Sequence, residues 1–135
     1  MAALTKDRDT KRRDGAQFSD PVAASTKIYA GSLVCLNASG YAVPGSTATT
    51  LKARGVAQEQ VDNSAGSAGD LRVETRRGVF KFGNSASADL IAIADIGNDC
   101  YIVDDQTVAK TNGSNTRSVA GKIRQVDSDG VWVEI

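Results

Sequence analysis

LRVETRRGVFKF, residues 71–82, is the stretch on which the fold turns. Leu71, Val73 and Thr75 fall on one face of an extended chain, and Arg72, Glu74 and Arg76 on the other. That is the two-residue period of a half-buried strand. Past Gly78 the phase slips, and Phe80 and Phe82 share a face opposite Val79 and Lys81. A phase change beside a glycine reads as a bulge or bend, the device by which a strand rounds a corner. The strand is expected to run on through it.

Working outward, the chain after Pro21 reads as short strands separated by turn residues. Residues 32–36 are mostly apolar; Asn37-Ala38-Ser39-Gly40 then makes a hairpin-type turn into residues 41–43, and Pro44-Gly45 closes the unit. Residues 45–53 read as a polar loop, 56–61 as a strand, and 61–70 as a turn through Gly66 and Gly69. Further strands are expected at 99–103, 107–109, 118–126 and 131–135. Only SADLIAIADIG, residues 87–97, favours helix, with Asp89 and Asp95 as N-caps and Gly97 as the stop of a turn or two near residues 90–96. Strands this short, with almost no helical period, indicate an all-β domain, a small barrel or sandwich with at most one short helix.

The first residues differ from the rest. Between residues 1 and 14 lie Lys6, Arg8, Lys11, Arg12 and Arg13 against Asp7, Asp9 and Asp14, with Leu4 the one large aliphatic besides Met1. So little apolar surface cannot offset the entropy of ordering the segment. Residues 1–20 are therefore read as an extended N-terminal arm and 21–135 as the β domain. A frayed terminus without a role is the plainer reading, but the closely spaced cations suit docking on a partner.

Composition narrows the chemistry. At 135 residues there is one domain's worth of chain, and 16 basic residues balance 16 acidic ones, so no overall field draws it to nucleic acid or an anionic membrane. The charged N-terminus lacks the apolar stretch of a secretory signal, which points to assembly in a cytoplasm. There is no histidine, which removes the commonest general base and metal ligand. No catalytic residues, metal ligands or cofactor are assigned, and the chain is read as non-enzymatic. Cys35 and Cys100 each sit in an apolar run, which favours two buried reduced thiols over a disulfide.

Three further features have plainer readings, and a fourth does not. Asp104 and Asp105, in YIVDDQTV, lie between two apolar runs, and adjacent strand residues point to opposite faces; the pair reads as a hairpin corner. In VDSDG, residues 126–130, glycine and the following residues do not match a calcium loop of the EF-hand type, whereas Asp-Gly between apolar runs is a hairpin signal. Arg72, Arg76, Arg77 and Lys81 could form a single-strand nucleic-acid groove, but with seven aromatics and no net charge they read better as solvated charges. Trp132 stays open. Val131, Val133 and Ile135 claim the core face of the last strand, leaving Trp132 and Glu134 on the other, either as an oligomer or capsid contact or beneath the chain's own arm or loop.

Taken in order, AGSLVCLNASGYAVP, ARGVAQEQVDNSAGSAGDLRVETRRGVFKF, DIGNDCYIVDDQTVAKT and AGKIRQVDSDGVWVEI cover nearly everything after residue 27. Their order and spacing resemble the head decoration (capsid cement) proteins of tailed bacteriophages, of the Mu-like type. That resemblance implies a β-barrel or β-tulip-like domain with an N-terminal arm, commonly assembled as a homotrimer on the capsid exterior of the virion. Its implied partners are the major capsid protein and itself, with no nucleic acid and no membrane. The arm residues Leu4, Lys6, Arg8, Lys11, Arg12 and Arg13 would then be capsid-binding. A module of a tail or fibre, or a single-strand-binding barrel, is the alternative.

Overall fold

A computed structural model describes residues 2–135; residue 1 of the arm lies outside them. The domain is all-β. Strands β1 (Gln17–Pro21), β7 (Arg72–Arg76), β5 (Lys52–Ala57), β3 (Leu33–Leu36) and β4 (Ala42–Pro44) lie in that order in one five-stranded sheet. A second five-stranded sheet runs β10 (Val108–Ala109), β9 (Asp99–Ile102), β11 (Val119–Asp127), β12 (Gly130–Glu134) and β8 (Val79–Phe82). Within the sequence span of the first sheet, β2 (Thr26–Ile28) and β6 (Val61–Asn63) form a separate two-stranded ribbon.

Each large sheet curls until its edges meet. Val22, just past β1, makes a single parallel bridge to Ala42 of β4, and Gly83, just past β8, makes one to Thr107 beside β10. The second contact consists of Gly83 N–H to Gln106 C=O at 2.7 Å and Val108 N–H to Gly83 C=O at 3.0 Å. Among the described residues neither ladder closes into a full barrel.

The decisive stretch behaves as its alternation predicts, with one difference. Val73 and Thr75 are buried while Arg72, Glu74 and Arg76 are exposed; Leu71 lies outside the strand and is exposed as well. The chain does not continue as one strand. It leaves the first sheet at Arg76, turns through Gly78 at φ +154°, and enters the second sheet at Val79. Only glycine adopts that φ without strain, so the phase slip marks a change of sheet. Phe80 and Phe82 then stand opposite Val133 and Val131 in register, packed on the core side.

There are two cores, and β3 serves both. Leu33 and Cys35 belong to the larger cluster with Phe82, Ile91, Cys100, Ile102, Ile123, Val131 and Val133. Val34, with Leu36 packed beside it, belongs to the smaller, with Val22, Ile28, Ala42, Val61 and Val73. A strand buried on both faces must be apolar at every position, which is why LVCL shows no alternation.

Several boundaries shift. The expected loop at 45–53 gives up its end to β5, which opens at Lys52, and Val61 starts the separate ribbon strand. The 37–40 turn and the Asp104–Asp105 corner form as read: Asn37 Oδ1 accepts the N–H of Ser39 and Tyr41, each at 3.0 Å, and Asp104 Oδ1 that of Gln106 at 2.9 Å. The last hairpin pairs Asp127 with Gly130, so Ser128–Asp129, not Asp129–Gly130, is its central pair. The expected helix is two isolated 3-10 turns, Ser87–Asp89 and Ile93–Asp95. Asp89 and Asp95 end these turns; the N-cap positions are Ala86 and Ala92. The cause is Ile91, buried in the larger core, whose N–H and C=O are both held by the Asn84 side-chain amide at 2.9 Å. A residue pinned that way interrupts any continuous helical ladder.

Thr75 carries a cost. It is fully buried and its hydroxyl has no hydrogen-bond partner. An unpaired buried hydroxyl is unfavourable, while an apolar group of the same shape is not. Thr75→Val is expected to stabilise the domain by up to about 1 kcal/mol, read as a rise in the urea midpoint at unchanged slope.

Candidate functional site

The folded domain starts earlier than residue 21. Gln17–Pro21 pairs antiparallel with β7, with Phe18 opposite Thr75 and Asp20 opposite Val73. The reason is a cluster 34 residues apart in sequence: Arg54 donates to both carboxylate oxygens of Asp20, at 2.8 and 3.1 Å. Its guanidinium also lies 3.7 Å from the centre of the Phe18 ring. A bidentate pair with a stacked aromatic holds the strand in register. The arm is therefore residues 2–16, exposed throughout, and Lys6, Arg8, Lys11, Arg12, Arg13 and Leu4 all lie on it, Leu4 being 71% exposed.

The arm has a defined root. Ala16 C=O accepts the Arg77 N–H at 2.8 Å, and Arg13 reaches to 5.9 Å from the Phe18 ring. A shallow groove at the root is lined by Asp14, Gly15, Ala16, Arg77, Gly78, Glu134 and Ile135. The structure thus brings Glu134, read as an oligomer or capsid contact or as lying beneath the arm or a loop, to the base of the arm. Glu134 also accepts from Arg124 at 2.8 Å.

Trp132 is half-buried on the outward face of β12. Its indole N–H donates to Asp127 Oδ2 at 2.7 Å, and the Lys81 ammonium stands 5.9 Å from the ring centre. The chain's own Asp127, at the end of β11, therefore takes the indole N–H. Donation from Trp132, and next from the Gln125 amide, holds the Asp127 carboxyl below its ordinary range. The basic residues 72–81 do not form one groove: Arg72 and Arg76 belong to the first sheet and Lys81 to the second. Arg72 donates to the Ser19 carbonyl at 2.6 Å, and Lys81 pairs with Asp129 at 2.6 Å.

Cys35 and Cys100 are free and buried, and burial pushes each thiol up to about 12. A buried thiol held protonated is a poor nucleophile at neutral pH. Because the folded value lies above the ordinary thiol value of 9.0, the contribution of each thiol is fully present below pH 9 and is lost as pH rises towards 12. Unfolding free energy is expected to fall by about 1 kcal/mol per pH unit for each thiol across that window. Denaturant titrations at pH 8 and pH 10.5 check this, and a Cys35→Ala/Cys100→Ala variant is expected to lose that part of the slope.

Among the described residues no cluster of three or more His, Cys, Asp or Glu side chains could hold a metal ion, and no helix is long and apolar enough to cross a membrane. Comparison with protein-family profiles, with curated proteins and with solved structures found no match.

Proposed function

We propose that this chain is a capsid decoration protein that sits on the exterior of a tailed-phage head and stabilises the expanded shell by clamping neighbouring major capsid proteins. The observation that carries the reading is the arm: an exposed basic segment, residues 2–16, rooted on an edge strand at Ala16 and Phe18. The order of segments after residue 27 supports it as a resemblance.

Magnitudes shape the mechanism. Ordering about fifteen residues costs roughly 1–2 kcal/mol each in backbone entropy, whereas exposed ion pairs return only about 0.2–1 kcal/mol each. Five cations cannot fix the arm by charge alone. The arm therefore gains backbone hydrogen bonds on the capsid surface as an added strand, and Lys6, Arg8, Lys11, Arg12 and Arg13 set its placement against acidic groups. Several arms in one assembly raise the effective affinity without new contacts.

The test is sedimentation of the full chain with expanded heads lacking it, with isolated tails, and with single-stranded DNA. Saturable binding to heads alone is expected. Binding to tails alone moves the protein to another virion part, and binding to DNA that weakens steeply with salt replaces the reading with a nucleic-acid one.

A further inference from the structure

Away from the arm, three exposed aliphatic side chains fall within one short segment: Leu90 at 50%, Ile93 at 72% and Ile96 at 44% exposure. Ile93 and Ile96 bracket one 3-10 turn, closed by the Ile96 N–H on the Ile93 carbonyl at 3.2 Å, and residues three apart in such a turn share a side.

The segment is built to hold them there. Ile91 is buried and clamped by Asn84, Asp95 Oδ2 accepts the Ala92 N–H at 2.8 Å, and the Gly97 N–H reaches the Ile123 carbonyl at 2.8 Å. Ile91 is the apolar side chain of the segment that enters the core, and Leu90, Ile93 and Ile96 take no part in that anchoring. Apolar groups on a fixed backbone are a preorganised contact, because little ordering remains to be done on binding.

The rim says what they contact. Asp89 pairs with Arg117 at 3.1 Å, Asp95 with Lys110 at 3.5 Å, and Asp99 with Lys122 at 2.7 Å. Each carboxylate bordering the segment is matched by a cation of the chain itself. An anionic membrane or an acidic protein would call for unmatched cations here, and a basic partner for unmatched carboxylates. When like surfaces meet, the rim faces a copy of itself, and any surplus of one sign repels. A neutral rim around an aliphatic centre suits that case.

We propose that the 90–96 segment is the surface on which a second copy of this chain docks, with Leu90, Ile93 and Ile96 as its buried centre. The capsid reading implies self-association without saying where; this placement rests on the geometry of the segment and not on that reading. It moves self-association away from Trp132, whose indole N–H is already taken by the chain's own Asp127.

Sedimentation velocity of the full chain from micromolar to millimolar concentration tests it, comparing the wild type with Ile93→Asp and Trp132→Ser. Circular dichroism and melting temperature report folding, and the exposed position of Ile93 leaves the Ile93→Asp fold unchanged. The wild type is expected to associate as concentration rises, with a midpoint insensitive to salt. Ile93→Asp is expected to move that midpoint at least tenfold higher, and Trp132→Ser to leave it in place. A wild type that stays a single copy throughout overturns the proposal, as does an unmoved midpoint in Ile93→Asp. Flotation with anionic and zwitterionic vesicles is the companion measurement, and Ile93-dependent vesicle binding without self-association also overturns it.

Discussion

Gly55→Ala is expected to cost about 2–6 kcal/mol, seen as a large drop in the denaturant midpoint. A Cβ at this position would stand 2.5 Å from the Arg76 carbonyl oxygen and 2.9 Å from its carbonyl carbon. Both are backbone atoms of the neighbouring strand, so no side chain can swing aside. The residue also adopts φ +158°. Overpacking of a close-packed site costs about 1–3 kcal/mol and a strained backbone about 1–3 kcal/mol more. The conformation follows from the register of β3 on β5, where Val34 faces Gly55 and Cys35 faces Ala53, leaving Arg54 as the extra residue. That bulge delivers the Arg54 guanidinium to Asp20 and Phe18. Loss of Gly55 therefore loosens β1 as well, and faster exchange of the β1 amides is expected alongside the lost stability. A loss under about 1 kcal/mol would mean that β5 and β7 separate readily at this point.

Leu33→Ala is expected to cost about 2–5 kcal/mol, and Val34→Ala, one residue on, about 2 kcal/mol. Both side chains are fully buried, but in different clusters. Each change leaves a cavity in its own core, so the double variant is expected to lose the sum of the two to within about 0.5 kcal/mol. If either change is nearly neutral, that face of β3 does not carry a core. Strong non-additivity would instead join the two clusters into one.

Much of the β architecture was legible because one-sided burial forces alternation. The β7 pattern, the 37–40 turn, the Asp104–Asp105 corner and the core face of β12 follow from residues adjacent in sequence. What was not legible depends on partners far along the chain. The bulge at Arg54 exists only relative to β3, and the strand at Gln17–Pro21 is held by an arginine that nothing nearby announces. The apolar run of β3 marked a buried strand but could not say that it faces two cores. Residues 90–96 read as helix from Asp89 and Asp95 as caps and Gly97 as a stop, yet Ile91 is drawn inward and Leu90, Ile93 and Ile96 are left outside. The arm was visible as a shortage of apolar residues. Its root on Ala16, beside Glu134, was not, because Arg77 and Glu134 reach it from remote parts of the chain.

Whether the arm is the clamp is tested by comparing the full chain with one that begins at Ala16, on the same expanded heads lacking the protein. Starting at Ala16 keeps the Arg77 contact and all of β1, so the shortened chain retains its fold. The full chain is predicted to saturate the shells while the shortened chain stays in the supernatant. Equal saturation by both would contradict the account and move the capsid contact onto the folded domain.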